Sequence, residues 1–77
     1  MPHLEPIHYG KFCKFLEYIG CTFKRQKGSH LIYVRDDLRR PIVVPAKKNL
    51  SRTVIQSNLK TLGIDRDKYL RILAEIK

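Results

Sequence analysis

Residues 22–34, TFKRQKGSHLIYV, decide the fold of this chain. The first part, residues 22–27, alternates loosely between polar and apolar side chains, and after Gly28 and Ser29 comes a run rich in β-branched and aromatic side chains. Two such segments on either side of two turn-forming residues predict a β-hairpin. The hairpin places His30 at the start of its second strand.

A third strand is predicted at residues 42–44, which Pro41 opens and Pro45 closes. Proline lacks the backbone N–H that a central strand needs, so it is typical of strand ends and edges. The connection from the second strand to the third is short and polar, and it contains Asp36 and Asp37. Three strands joined by short loops predict an antiparallel meander.

Amphipathic helices are predicted on both sides of the strands. In the first, over residues 8–19, apolar side chains recur at positions i, i+3, i+4 and i+7, and Gly20 follows it. Ser51 is a suitable N-cap for the second helix, Gly63 follows the end of that helix, and Asp65 can cap the third. The apolar faces consist of Phe12, Phe15, Leu16 and Ile19, then Val54, Ile55, Leu59 and Leu62, then Tyr69, Leu70, Ile72, Leu73 and Ile76.

The order α-β-β-β-α-α predicts the α+β class. A helix before and a helix after a three-stranded antiparallel sheet can both pack on one sheet face, which gives a two-layer structure with the other face free. At 77 residues the chain has room for one domain, residues 1–77, and not for a separate cofactor-binding lobe. We therefore expect a site on the surface of that one core and no small-molecule cofactor.

Positive charge is concentrated in the middle of the chain. The 16 Lys and Arg against 7 Asp and Glu give a net charge of +9. Ten basic and two acidic residues fall within residues 24–60, so this part carries +8 and the remainder +1. Such a region is typical of surfaces that meet phosphates or an acidic protein. The alternative, a solvated basic surface that only keeps a small protein soluble, stays open.

Membrane, disulfide and metal-binding classes find little support in the sequence. No apolar run approaches 18 residues and no signal-peptide pattern begins the chain, so we expect a cytoplasmic protein without membrane contact. Cys13 and Cys21 match neither a zinc-binding pair nor a disulfide framework, and both are expected to be reduced. His3 and His8 are expected to be exposed near a loose terminus, and no metal site is predicted.

The segment from Lys27 to His30 is the most suggestive site in the chain. Gly28 allows a tight turn and the close approach of another molecule, and Ser29 adds a hydroxyl. The imidazole of His30 can move protons near neutral pH, while Lys27 and Arg25 can stabilise charge that grows on a phosphate. These residue types favour phosphodiester chemistry, although a lone histidine at a strand end is more often structural or merely exposed.

Alternation along the second strand leaves open the face on which His30 lies. The two alternating sets are His30, Ile32 and Val34 on one face, and Leu31, Tyr33 and Arg35 on the other. The first set is the more apolar, which favours His30 at the edge of the packed face. If Tyr33 and Phe23 face outward instead, they can stack on bases.

An ordered set of motifs spans residues 9–70. A short helix ends at a glycine, and Phe23-Lys24-Arg25-Gln26-Lys27-Gly28-Ser29-His30 follows, in which arginine precedes Gly-Ser-His. An aromatic strand, a strand ending in Val44-Pro45 and a helix from Thr53 to Leu62 complete the set. In this order the chain resembles the HicA family of toxin-antitoxin mRNA interferases. The resemblance implies a fold like the double-stranded-RNA-binding domain, a ribonuclease that needs no metal, a catalytic histidine at His30 and an antitoxin partner of the HicB type.

Two positions depart from the pattern of that family. Many members carry a second histidine two positions after the proline that ends the third strand, where this chain has Lys47. The glycine usual at the start of the following helix is replaced by Arg52. A fixed cation keeps charge stabilisation but loses proton transfer. We therefore predict that Lys47, Lys48 and Arg52 bind RNA phosphates rather than move protons.

Three hypotheses follow from these residues. In the first, the protein is an RNA endonuclease of low sequence selectivity, with His30 as general acid or base and with Arg25, Lys27 and Lys47 on the scissile phosphate. In the second, which the Lys47 departure favours, it is a non-catalytic RNA-binding domain of the same fold. In the third, its basic face serves only to bind an acidic protein.

Overall fold

The computed structural model describes residues 5–76, and its elements follow the predicted order. Helix α1 spans Tyr9–Tyr18, strands β1, β2 and β3 span Thr22–Lys27, His30–Val34 and Ile42–Pro45, and helices α2 and α3 span Arg52–Leu62 and Arg66–Glu75. The α-β-β-β-α-α order and the three-stranded antiparallel sheet confirm the predicted α+β class.

Each helix begins at a side chain that accepts a hydrogen bond from its first turn. The side-chain oxygens of Ser51 and Asp65 accept from the backbone N–H three residues later, at 3.3 Å and 2.8 Å. In α1 the Nδ1 atom of His8 accepts from the N–H of Gly10 at 2.9 Å. Such acceptors satisfy N–H groups that the first turn of a helix leaves unpaired. Gly63, with φ of +70°, ends α2 as predicted.

Strand β2 is the centre of the sheet. It pairs antiparallel with β1, where Lys27 lies opposite His30, and with β3, where Pro45 lies opposite the same histidine. The register of β1 shifts between Phe23 and Arg25, which marks a β-bulge. The hairpin turn and the end of β3 therefore meet at one corner of the sheet.

The helices cover one face of the sheet. Tyr33 of β2 and Ile42 and Val44 of β3 point to that face and are buried. They belong to one apolar cluster with side chains from all three helices, among them Phe12, Leu16, Ile55, Leu59 and Tyr69. Every residue of β1 is exposed, so this strand extends beyond the helix layer. The two-layer arrangement is thus the predicted one, with a second sheet face open to solvent.

Helix α3 packs against α1 through aromatic rings. Tyr69 is 1% exposed, and its ring meets that of Phe15 edge-on, with centroids 4.9 Å apart. The hydroxyl of Tyr18 donates a hydrogen bond to Glu75 at 3.0 Å and ties the ends of the two helices together. Edge-to-face pairs of this kind add a stabilising free energy to that gained from the apolar area that they bury.

Candidate functional site

The hairpin turn fixes the position of His30. Gly28 has φ of +60°, whereas Ser29 has no positive φ, and glycine at the first central residue is typical of a type II′ turn. The side-chain amide of Gln26 donates a hydrogen bond to the carbonyl of Gly28 at 3.0 Å and braces the turn. His30 follows directly as the first residue of β2, so it lies at the rim of the sheet as predicted.

His30 is exposed and belongs to the helix-free face of the sheet. The expectation that alternation favours the packed face for His30 is wrong, because Tyr33 occupies the core position instead. Tyr33 is 5% exposed, and burial together with a hydrogen bond to the Cys13 thiol raises the pKa of its phenol. Tyr33 is therefore not free to stack on bases. Phe23 is 50% exposed and rests edge-on against the Tyr33 ring at 5.6 Å.

The segment after β3 returns to the hairpin turn. Pro45 pairs with His30, and the N–H of Ala46 donates to the carbonyl of Ser29 at 2.8 Å. The carbonyl of Lys47 then accepts from the N–H of Tyr9, at the start of α1, at 3.3 Å. These backbone bonds bring residues 46–48 and the start of α1 to the same corner of the sheet as Gly28 and Ser29.

His30 lies between two depressions of the surface. The first, of about 490 Å³, is lined by Lys27, Gly28, His30, Ile32 and Val43. The second, of about 460 Å³, shares His30 and Val43 and runs between β3 and α2. An imidazole thus stands at the junction of two shallow surfaces with apolar floors, and Lys27 lines one of them. This arrangement can place a proton-transfer group and a cation on the same bound phosphate.

Helix α2 forms the outer wall of the second depression. Thr53, Ser57 and Thr61, spaced four residues apart on one helix face, line it. The amide of Asn58 donates to the carbonyl of Val43 at 3.3 Å and holds the helix beside β3. None of these residues was predicted as a site residue, although a hydroxyl side chain at every fourth position is visible in the sequence.

The other predicted RNA-binding residues surround His30 without lining these depressions. Arg25 lies opposite Ile32 in the β1–β2 pairing, so it shares the helix-free face with His30. Ser29, Lys47 and Lys48 are exposed, as is Arg52 at the first position of α2. Among residues 5–76, the five predicted cations have neither an ion pair nor a side-chain hydrogen bond: Arg25, Lys27, Lys47, Lys48 and Arg52. Their charges therefore stand uncompensated by neighbouring acidic side chains.

The cysteines and the other two histidines do not belong to this site. Cys13 and Cys21 are buried free thiols, and burial raises the pKa of each. His8 is exposed and caps α1, whereas His3 lies outside the described residues. Over residues 5–76, no group of three or more His, Cys, Asp and Glu side chains gathers as a metal ion would require.

Two comparisons bear on the identity of the chain. A family model described as HicA toxin of bacterial toxin-antitoxin matches residues 9–64, from the start of α1 to just beyond α2. No curated protein matches the chain significantly. The matched range contains the hairpin turn, His30 and both walls of the second depression, and it excludes α3. In the described part of the chain, no helix has the length and apolar character needed to cross a bilayer.

Proposed function

The chain belongs to the HicA toxin family, and from this premise we propose that it cuts RNA with His30 as its catalytic residue. As a toxin of a toxin-antitoxin system it has an antitoxin partner. The observation that carries the proposal is the position of His30, exposed at the junction of two depressions and beside an unpaired cation. Messenger RNA as the substrate also implies activity in the cytoplasm.

The proposed reaction is an attack within the RNA strand. The imidazole of His30 takes the proton of a ribose 2′-hydroxyl, and the 2′-oxygen forms a bond to the adjacent phosphorus. The bond from phosphorus to the 5′-oxygen breaks, and that oxygen receives a proton from the imidazolium or from water. The products are a 2′,3′-cyclic phosphate and a 5′-hydroxyl. All proton transfer is assigned to a side chain of this protein and to water, without a metal ion.

Cations complete the proposed site. Lys27 and Arg25 lie on the same sheet face as His30, and Lys47 follows the strand end that pairs with it. They stabilise the charge that grows on the phosphate oxygens during the attack. Lys48 and Arg52 bind neighbouring phosphates, and Gly28 and Ser29 let the strand approach the backbone closely. Contacts of this kind follow the strand without reading its bases, so cleavage has little sequence selectivity.

The partner follows from the same surface. We propose an antitoxin of the HicB type that presents acidic side chains to the uncompensated cations and covers His30. Electrostatic complementarity of this kind accelerates association and selects the partner. Inhibition then requires only that the antitoxin occupy the site.

A ribonuclease assay in EDTA tests the catalytic assignment. His30→Ala should lower the cleavage rate by at least about 100-fold, the usual contribution of a positioned acid or base. His8→Asn is the matched control: it removes another exposed imidazole and keeps a good N-cap for α1, so it should cleave at the wild-type rate. Analysis of the 3′ ends should find the cyclic phosphate. Cleavage by His30→Ala at the wild-type rate would refute the role of His30.

A non-catalytic RNA-binding domain is the second candidate. It is favoured by one observation: His30 is the only imidazole, and no carboxylate lies with it, among the residues that line the two depressions. Acid and base roles then fall on one group, and Lys47 cannot replace a second. RNA binding that weakens steeply with salt, without growth arrest on expression, would support this candidate against the nuclease.

A further inference from the structure

The two depressions that meet at His30 continue into a third, which follows α2 towards its end. The second depression, between β3 and α2, shares Arg40, Ser57 and Thr61 with this third one, which has a volume of about 600 Å³. Arg39 and Lys60 also line this third part. The three adjoining depressions form one path, here named the α2 groove, from Lys27 at the hairpin turn to Lys60 near the end of α2.

The far end of the α2 groove is positively charged. Arg39 and Arg40 come from the β2–β3 loop, and Lys60 comes from the facing side of α2. Within residues 5–76 these three side chains have no ion-pair or hydrogen-bond partner. Asp37 also lines this end, but its carboxylate accepts two hydrogen bonds from Arg35, at 2.6 Å and 3.0 Å. Its charge is therefore offset, and the cations are left to attract an anion.

The two charged ends are separated by an apolar floor. Four residues of chain lead from Pro45, opposite His30, to Pro41, beside Arg40, which is a span of about 13 Å at the rise of a β-strand. Pro41, Val43 and Pro45 line this stretch, and Val43 is 39% exposed. The hydroxyl stripe of α2 faces the floor from the other side.

We propose that Arg39, Arg40 and Lys60 form a second anion site, which holds the backbone of a single RNA strand whose reacting phosphate lies at His30. This inference rests on the RNA substrate proposed above. Cations at both ends suit a ligand with charges repeated along its length. The apolar floor suits the faces of unpaired bases, which are covered in a duplex, and the hydroxyl stripe can bond to ribose hydroxyls. An acidic protein segment, the other ligand that cations attract, offers no such ribose groups.

The test is a salt titration of RNA binding in a His30→Ala background, where the strand is not consumed. One variant removes a cation from each wall of the far end, and a matched control removes two exposed cations of α3. The pairs are Arg40→Gln with Lys60→Gln, and Lys68→Gln with Arg71→Gln. Each lowers the net charge from +9 to +7, because 9 − 2 = 7.

The expected difference is largest with a long strand. Each lost phosphate contact lowers the slope of log K against log salt by about 0.7, so two should lower it by about 1.4 for a strand of about ten nucleotides. The α3 control should keep the parental slope. With a dinucleotide, whose single internal phosphate cannot contact both ends of the groove at once, the far-end variant should lower the slope by at most about 0.7.

Three outcomes would overturn the second site. The first is an equal salt slope for the two variants on the long strand. The second is tighter binding of a duplex than of a single strand of the same length. The third is that binding of an acidic peptide, and not of RNA, depends on Arg40 and Lys60. Because binding is measured without cleavage, these results are separate from the catalytic test. A wild-type protein that binds as expected but never cleaves refutes His30 as catalyst and leaves the second site standing.

Discussion

Tyr69→Phe removes one oxygen atom from the core, and we expect the change to stabilise the fold. The hydroxyl of Tyr69 is buried and has no hydrogen-bond partner within residues 5–76. A buried hydroxyl without a partner has lost its bonds to water and gained none in return. The ring would keep its edge-on contact with Phe15, so the packing between α1 and α3 would be preserved.

The magnitude follows from the desolvation of that hydroxyl. An unsatisfied buried polar group costs about 1–3 kcal/mol. Removal of the oxygen recovers this cost, but the small void that it leaves is itself destabilising and reduces the gain. We therefore expect Tyr69→Phe to raise the free energy of unfolding by about 1 kcal/mol. In a domain of this size such a gain raises the midpoint of thermal unfolding by about 4–8 °C.

The advantage of Tyr69→Phe should grow in alkaline solution. Burial raises the pKa of Tyr69 from 10.0 to about 12. The folded pKa exceeds the unfolded one, so the stability linked to the neutral phenol is complete below about pH 10 and is lost as the pH rises through 12. Near pH 11, midway between the two pKa values, about half of this contribution, roughly 1.4 kcal/mol, should be lost from the wild type, and phenylalanine cannot lose it.

Urea unfolding followed by circular dichroism, at neutral pH and near pH 11, measures both effects. Tyr33→Phe is the matched control, since the Tyr33 phenol is also buried but is bonded to the Cys13 thiol. At neutral pH it should lower the free energy of unfolding by about 0.5–1.5 kcal/mol, the opposite sign. If Tyr69→Phe instead lowers stability by about 1 kcal/mol or more, the hydroxyl has a partner such as a buried water, and the reasoning fails.

Other predictions concern the thiols, the hairpin turn and the cap of α2. Burial raises the pKa of Cys13 and Cys21, so neither should react with Ellman's reagent at neutral pH before unfolding; rapid reaction of the native protein would contradict this. Gly28→Ala should lower the free energy of unfolding by about 1–2 kcal/mol, because alanine is strained at a φ of +60°. Nothing lies within 4 Å of the added Cβ, so no steric clash adds to this cost, and an unchanged thermal melt would argue against this turn. Ser51→Ala should cost about 1 kcal/mol by loss of the N-cap, whereas Ser51→Asp should preserve stability; equal melts for the two would rule out the cap.

Most of the secondary structure was predictable because its signals are local. Ser51 and Asp65 begin helices by bonding to N–H groups three residues away, and Gly63 ends one through its own positive φ. Gly28 forms the hairpin turn for the same conformational reason. Each signal acts within a few residues, so it can be recognised without knowledge of the fold.

The candidate site was predictable only in part. Gly28, Ser29 and His30 are consecutive, so the turn and the histidine had to be neighbours. The cations of residues 24–60 were visible as a concentration of charge, but Arg40 and Lys60 are twenty residues apart and meet only because α2 lies along β3. Proximity of this kind comes from packing, which a charge count along the chain does not contain.

By itself the sequence determined the order of elements, the hairpin, the excess of positive charge and the family motif around His30. Tertiary structure alone decided which face of β2 is buried. Alternation divides the side chains of a strand into two sets on opposite faces, but the packing of the helices determines which set is buried. Here α1 brings Cys13 to Tyr33, while Ile42 and Val44 present the same face of β3 to the helices. Tyr33 therefore entered the core, and His30 was left on the open face, at the start of the α2 groove.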